Sequence, residues 1–227
     1  MPQRNSIKTY VKNGIYHVYN RGVEKRTIFE DEQDYKVFLK YLKEYLTPPP
    51  DPSKLLTTFT LQGASFQGIP HQHKNYHETI NLLAHSLMPN HFHFILRQKT
   101  DRSMEFFLRS LATRYSMFFN KKYNRIGKLF QGHYKAILID NERYLLYLSK
   151  YIHKNPKEYT DMLTDAYSSY SEYLDLRHTS WIETETILSY FKEQKNSLLK
   201  KTNSYKSFVE DEDETETALL GNLIIEK

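Results

Sequence analysis

Residues 80–97 read INLLAHSLMPNHFHFILR, and this stretch decides the fold. The apolar run Ile80–Met88 predicts a strand, Pro89-Asn90 predicts a tight turn, and His91–Arg97 predicts a second strand. The two strands should therefore form a hairpin. Side chains two residues apart in a strand point to the same face of a sheet, so we expect His91 and His93 to lie side by side.

The hydrophobic periodicity around this hairpin completes an alternating series of strands and helices. Strand, helix, strand, strand, helix, strand is the order of the ferredoxin-like, split βαβ arrangement. We therefore predict an α+β fold whose antiparallel sheet of about four strands has two helices on one face and the other face free for a ligand. A further C-terminal helix would carry Tyr151. The remaining predicted elements are strand Ile15–Gly22, helix Asp31–Leu46, helix Ser103–Tyr123, strand Tyr134–Ile139 and a helix capped by Asn141 that runs to about Asn155.

The composition changes divide the chain into three parts. Residues 1–178 should form one domain, in which residues 47–77 lose periodicity and form an insertion or loop with a short strand at Leu56–Leu61. Residues 179–195 should be a short extension with a helix at Thr184–Lys192. Residues 196–227 hold four Lys against seven acidic residues and predict a flexible acidic tail.

Composition narrows the class of protein. The 227 residues include no cysteine, which excludes disulfides, thiolate metal sites and thiol catalysis. No apolar run approaches 18 residues and the N-terminus lacks an apolar signal core, so we expect a cytoplasmic protein with no membrane partner. Net charge is +5, and residues 101–135 hold eight Lys/Arg against two acids. Such a basic region can neutralise phosphates, although charge alone favours a merely solvated surface.

The paired histidines suggest a metal site. Two imidazoles on one strand face can share a divalent ion, and oxygen partners would move the preference toward Mg²⁺ or Mn²⁺. An isolated His-x-His pair is weak support, and the chain supplies its own comparison. His71 and His73 have the same spacing but lie in the Gly/Pro-containing insertion, where we expect a surface position.

Tyr151 and Asn155 strengthen the case for His91 and His93. They are four residues apart on one predicted helix and therefore share a face. An amide oxygen is a usable ligand for a hard cation, and a phenol is a possible nucleophile. The helix pattern alone also fits ordinary packing. Tyr115 is the competing nucleophile, but four residues onward it has Phe119, which offers no metal-binding oxygen.

Several segments resemble those of the REP-associated tyrosine transposase branch of the single-tyrosine HUH (IS200-like) transposase family. His91-Phe92-His93 is similar to the family's HUH motif of two histidines around a bulky apolar residue. The segments occur in the family's order and span residues 15 to about 190. They are LMPNHFHF at 87–94, YHVYNRG at 16–22, IFED at 28–31, GKLFQGHYK at 127–135, YIHKNP at 151–156 and SSYSEYL at 168–174.

The resemblance implies a metal-dependent endonuclease and strand transferase acting on single-stranded DNA. Tyr151 would be the nucleophile and form a 5′-phosphotyrosine, while His91, His93 and Asn155 would hold Mg²⁺ or Mn²⁺. The substrate would contain imperfect palindromes folded as hairpins, and the protein would be a monomer or homodimer. Candidate DNA contacts are Arg21, Arg109, Arg114, Lys121, Lys122, Arg125, Lys128 and His133.

One departure and three alternatives accompany this hypothesis. The family usually has Gln-Gly-Arg where this chain has Gln131-Gly132-His133, which removes one expected cation. A replication initiator or relaxase would use the same chemistry, but it would need a helicase domain that 227 residues do not accommodate. A non-catalytic nucleic-acid binding module could share the sheet. A domesticated repeat-processing protein would cleave DNA without moving an element.

Overall fold

The structure is a computed structural model that describes residues 10–192 and 204–211. Its central sheet consists of four antiparallel strands in the order β4-β5-β1-β6. The strands are β1 (Ile15–Arg21), β4 (Ile80–Met88), β5 (His91–Gln98) and β6 (Lys135–Ile139). The two helices that interrupt them are α1 (Glu32–Leu46) and α2 (Ser103–Lys122). This is the predicted split βαβ order, with β1 and β5 at the centre.

One face of the sheet packs against α1 and α2. Phe92 and Phe94 on β5 point to this face and are buried with Phe38 of α1 and Phe107 and Leu111 of α2. Alternate residues of β5 therefore anchor the strand in this core, as the sequence predicted. The N-terminus of α1 is fixed by Asp31, whose side chain accepts a hydrogen bond from the Asp34 amide.

The opposite face is covered, which corrects the prediction of a free face. Helix α3 (Glu142–Lys154) lies on it, and every residue from Tyr144 to His153 is buried. Burial is continuous because the C-terminal segments α4 (Tyr170–Tyr173), α5 (Glu185–Lys192) and α6 (Tyr205–Glu210) close a second core around this helix. The polar residues among them are no obstacle, since many find buried hydrogen-bond partners.

The insertion contains a complete hairpin rather than the single predicted strand. β2 (Thr57–Leu61) pairs antiparallel with β3 (Ala64–Gly68), and both strands are mostly exposed. The turn places Gln62 and Gly63 at positive φ, the left-handed region that two-residue hairpin turns require. The second strand escaped prediction because Ala64–Gly68 has little apolar alternation.

The predicted flexible tail is wrong for residues 204–211, and its other residues lie outside the described ones. Ser204 caps α6 through a reciprocal hydrogen-bonding box with Ser207, and Tyr205, Phe208 and Val209 are buried against α3. This i, i+3, i+4 stripe is helical in spacing but lies within a polar stretch, so its apolar face was overlooked. Among the helices that the structure describes, none is long and apolar enough to cross a membrane.

Candidate active site

The strand pairing brings β1 and β5 residues together at one end of the sheet. Tyr19 lies opposite His93, and Arg21 lies opposite His91. The chain then turns back at Gly22. Glycine is required at this position because a Cβ would collide with the carbonyl of Arg26. The Gly22 amide donates to the carbonyl of Asn90 at 2.8 Å, which ties the end of β1 to the turn before His91.

Hydrogen bonding orients the ring of His91. Its Nδ1 lies 2.6 Å from the Asn90 Oδ1, so this nitrogen carries the proton and donates. The lone pair on Nε2 then faces Asn155 Oδ1, 3.3 Å away. Two acceptors cannot bond to each other, but both can coordinate a cation.

His93 gives the strongest support for a cation-binding site. The side chain is fully buried, and its Nδ1 lies 2.9 Å from His17 Nε2. Its other nitrogen, Nε2, is buried with no hydrogen-bond partner within the part of the chain that the structure describes. Leaving such an atom unpaired costs on the order of 1–3 kcal/mol, and native proteins rarely tolerate it without a reason.

Burial also sets the protonation of both rings. It lowers the pKa of His91 to about 4, and it holds the pKa of His93 well below its usual range. Both imidazoles are therefore neutral near pH 7, which is the state that binds metal ions. The residues present thus fit a divalent cation.

Helix α3 brings Tyr151 and Asn155 to the same place. The backbone N–H of Asn155 donates to the backbone carbonyl of Tyr151, so helical geometry continues through Asn155. The two side chains therefore share a face of the helix. The Tyr151 ring contacts the His93 ring edge-on, with centroids 5.6 Å apart. The structure therefore brings together the four residues that the sequence singled out, His91, His93, Tyr151 and Asn155.

The candidate ligand set contains no carboxylate. Within residues 10–192 and 204–211, no group of three His, Asp or Glu side chains is placed to hold a metal ion. The third ligand here would be the amide oxygen of Asn155. His71 and His73 remain on the exposed insertion, with ring centroids 6.1 Å apart, and take no part in this site.

Tyr115 has a packing position. Its ring is fully buried between α1 and the sheet, and its hydroxyl donates to the Ile28 carbonyl at 2.5 Å. Burial raises its pKa far above the ordinary tyrosine value, which disfavours the phenolate. A nucleophile needs access to substrate; Tyr115 has no exposed surface, whereas Tyr151 keeps 8% exposure and lies beside His93.

Of the eight candidate DNA-contacting residues, four interact with other side chains of the protein and four are exposed. Lys122 forms ion pairs of 2.7 Å with both Asp31 and Asp34, and Arg114 pairs with Glu44 at 2.6 Å while stacking on Tyr41. These two side chains hold α2 against α1. Arg21 donates to the Gln131 side chain beside His91, and Arg125 donates to Asn120 at 3.1 Å. The exposed members of the set are Arg109, Lys121, Lys128 and His133.

His17 and Asn90 were missed by sequence reasoning. Each lies within hydrogen-bond distance of the Nδ1 of a candidate metal ligand: His17 of His93, and Asn90 of His91. A signal for His17 existed, because alternation in β1 places it on the same face as Tyr19 and Arg21. The partner strand could not be read from the sequence, since His17 and His93 are 76 residues apart.

Comparison with known proteins agrees with this arrangement. A search among curated proteins gave no match. A structure of a REP-associated tyrosine transposase bound to a REP hairpin is similar in fold, with a TM-score of 0.51 and 13% sequence identity. The similarity covers 78% of this chain and 95% of the other. Residues 67–155, from the insertion through Asn155, match the family model described as Transposase IS200 like. Residues 67–155 are therefore similar to IS200-like transposases, and the fold of the chain is similar to that of the REP-associated tyrosine transposase.

Proposed function

We propose that this protein is a metal-dependent endonuclease and strand transferase for single-stranded DNA, with Tyr151 as its nucleophile. The observation that carries the proposal is the clustering of four side chains: the His91 ring lies 5.1 Å from the His93 ring and its Nε2 lies 3.3 Å from Asn155 Oδ1, while the His93 ring lies 5.6 Å from the Tyr151 ring. The unpartnered Nε2 of His93 supports a ligand within this cluster. A module that only bound nucleic acid would not need His91, His93, Tyr151 and Asn155 together.

The residues would divide the chemistry as follows. His91, His93 and Asn155 would hold Mg²⁺ or Mn²⁺, which supplies charge stabilisation at the scissile phosphate. These three ligands are formally neutral, so they do not repel the anionic substrate. The Tyr151 oxygen attacks phosphorus, the bond from phosphorus to the 3′ oxygen breaks, and that oxygen gains a proton to become a free 3′-hydroxyl.

The product would be DNA joined through its 5′ phosphate to Tyr151. Attack by a 3′-hydroxyl on this phosphotyrosine reverses the step and joins strands. No nucleotide triphosphate is required, because the covalent link conserves the energy of the phosphodiester.

The substrate would be single-stranded DNA with imperfect palindromes folded as hairpins. The similar structure was solved with a REP hairpin, and the exposed cations of this chain suit a phosphate backbone. Arg109 and His133 line a cavity of about 330 Å³ beside α2. Lys128 and His133 line an adjoining one of about 420 Å³. The two cavities share Gly132 and His133, and each has one cation at its wall that could contact a phosphate.

The test compares Tyr151→Phe with Tyr115→Phe. Each protein is mixed with labelled single-stranded DNA carrying a palindrome from the sequence that flanks the gene, plus Mn²⁺, and resolved on a denaturing gel. The unsubstituted protein and Tyr115→Phe should give a covalent adduct, and Tyr151→Phe should give none. An adduct that persists in Tyr151→Phe but disappears in Tyr115→Phe would refute the assignment.

A further inference from the structure

His17 and His93 form a buried pair of imidazoles on the face of the sheet below α3. Both side chains have almost no exposed surface. Their rings are nearly parallel, 19° apart, with centroids separated by 5.2 Å. The contact atoms are His17 Nε2 and His93 Nδ1, at 2.9 Å.

A single proton lies in this hydrogen bond, and two arrangements are possible. If His17 Nε2 donates, His93 Nδ1 accepts. A neutral His93 then has its own proton on Nε2, and that nitrogen has no lone pair for a cation. If His93 Nδ1 donates, the lone pair of His93 Nε2 is left open for a cation. Only the second arrangement makes His93 a metal ligand.

The remaining nitrogens of the pair are both buried without a hydrogen-bond partner in residues 10–192 and 204–211. They are His17 Nδ1 and His93 Nε2. Protein contacts therefore do not select a tautomer at either end. A cation at His93 Nε2 would select it, and the pair would then have its protons on His93 Nδ1 and His17 Nδ1.

We propose that His17 is the positioning residue of the metal site, accepting the Nδ1 proton of His93 and thereby holding the ring with Nε2 toward the ion. The inference rests on the proposed function. Partners behind a metal-binding histidine fix its tautomer and orientation and raise its basicity, and their loss typically weakens metal affinity 10–100-fold. His17 plays for His93 the part that Asn90 plays for His91, so each candidate ligand has a dedicated neighbour.

Two substitutions separate this role from simple packing. His17→Phe keeps a ring of similar size but removes the acceptor, whereas His17→Gln keeps a polar atom near the position of Nε2. His85→Phe and His85→Gln form the matched control, because His85 is equally buried on a neighbouring strand and touches none of the proposed ligands.

The measurement is Mn²⁺ affinity, followed by the electron paramagnetic resonance of free Mn²⁺ without DNA. We expect His17→Phe to weaken binding roughly 10–100-fold. His17→Gln should recover a substantial part of the loss, and the two His85 variants should bind as the unsubstituted protein does. A folded His17→Phe that binds Mn²⁺ normally overturns the proposal. Equal losses in His17→Phe and His85→Phe would assign the effect to packing and overturn it as well.

Ring ¹⁵N shifts of the unsubstituted protein with Mg²⁺ provide a test that needs no variant to fold. His93 should carry its proton on Nδ1, and a proton on Nε2 would refute the role of His17. His93→Ala distinguishes this failure from failure of the site itself. If His93→Ala also leaves Mn²⁺ affinity unchanged, the proposed metal site is wrong.

Discussion

At the scale of single residues, two lysines have different roles: Lys122 at the end of α2 stabilises the fold, and Lys128 in the following loop is exposed. Lys122 neutralises Asp34, whose side chain is completely buried and also accepts from the Glu30 amide and the Tyr123 hydroxyl. Lys128 is exposed and lines the cavity of about 420 Å³ beside α2. Basic composition predicted both as DNA contacts, because a sequence does not show which acids lie nearby in space.

This difference gives the first prediction. Lys122→Met should lower the free energy of unfolding by about 1–3 kcal/mol, because it leaves a buried carboxylate without its charged partner. Lys128→Met should leave stability within about 0.5 kcal/mol and reduce the salt dependence of DNA binding by roughly one counterion. Urea unfolding and DNA titrations at several salt concentrations measure the two effects. The reverse pattern would show that the roles are exchanged.

The amide of Asn155 gives the second prediction. Asn155→Ala removes the oxygen that faces His91 Nε2 and should raise the Mn²⁺ concentration needed for half-maximal cleavage. Some adduct should remain at saturating Mn²⁺, because both histidines and Tyr151 are intact. His71→Ala, in the exposed insertion, is the control and should behave like the unsubstituted protein. An unchanged Mn²⁺ requirement in Asn155→Ala would remove Asn155 from the ligand set.

At the scale of elements, the sequence predicted what is local. The β4–β5 hairpin, the cap at Asn141 and the i, i+4 relation between Tyr151 and Asn155 follow from short-range rules, and the structure has all three. The cover over α3 depends instead on contacts between distant segments. The Tyr205 hydroxyl lies 2.6 Å from His153 Nδ1 across 52 residues, and no local pattern encodes that pairing.

The third prediction concerns α6, which packs on the helix that carries Tyr151. Phe208→Ala should lower the free energy of unfolding by about 3 kcal/mol, since Phe208 is buried against Tyr147 with ring centroids 5.4 Å apart. Leu61→Ala in the insertion hairpin should cost less than about 0.5 kcal/mol, because 65% of Leu61 is exposed. Urea unfolding, monitored by circular dichroism, measures the free energy of unfolding of both variants. Equal effects would mean that α6 does not stabilise α3.

At the scale of the whole molecule, buried histidines bear on how stability depends on pH. The core between α1, α2 and the sheet is built largely from aliphatic and aromatic side chains. The core around α3 also encloses His153, which lies 2.8 Å from Ser169 Oγ through Nε2. His85 is buried on β4 opposite Phe94, and its ring packs against Trp181 with centroids 5.9 Å apart. Burial keeps these two rings neutral, lowering the pKa of His153 to about 3 and of His85 to about 4.

These pKa values make the fold acid-sensitive, which is the last prediction. An unfolded chain protonates both histidines near pH 6.5, whereas the folded protein resists protonation until pH 3–4. The unfolded state therefore binds more protons between these limits, so stability is complete above about pH 6.5 and falls as pH decreases. Each histidine contributes a slope of up to about 1.4 kcal/mol per pH unit.

Urea unfolding from pH 7.5 to 5.0 in metal-free buffer measures this slope, above the range in which ordinary carboxyl groups titrate. His85→Phe removes one of the buried histidines and should reduce the slope by up to about 1.4 kcal/mol per pH unit, whatever it does to stability at pH 7.5. Because a domain of this size has only about 5–15 kcal/mol of stability, unfolding should occur well above pH 3. A free energy of unfolding that stays constant from pH 6.5 to 5.0 would show that these histidines titrate equally in the folded and unfolded protein.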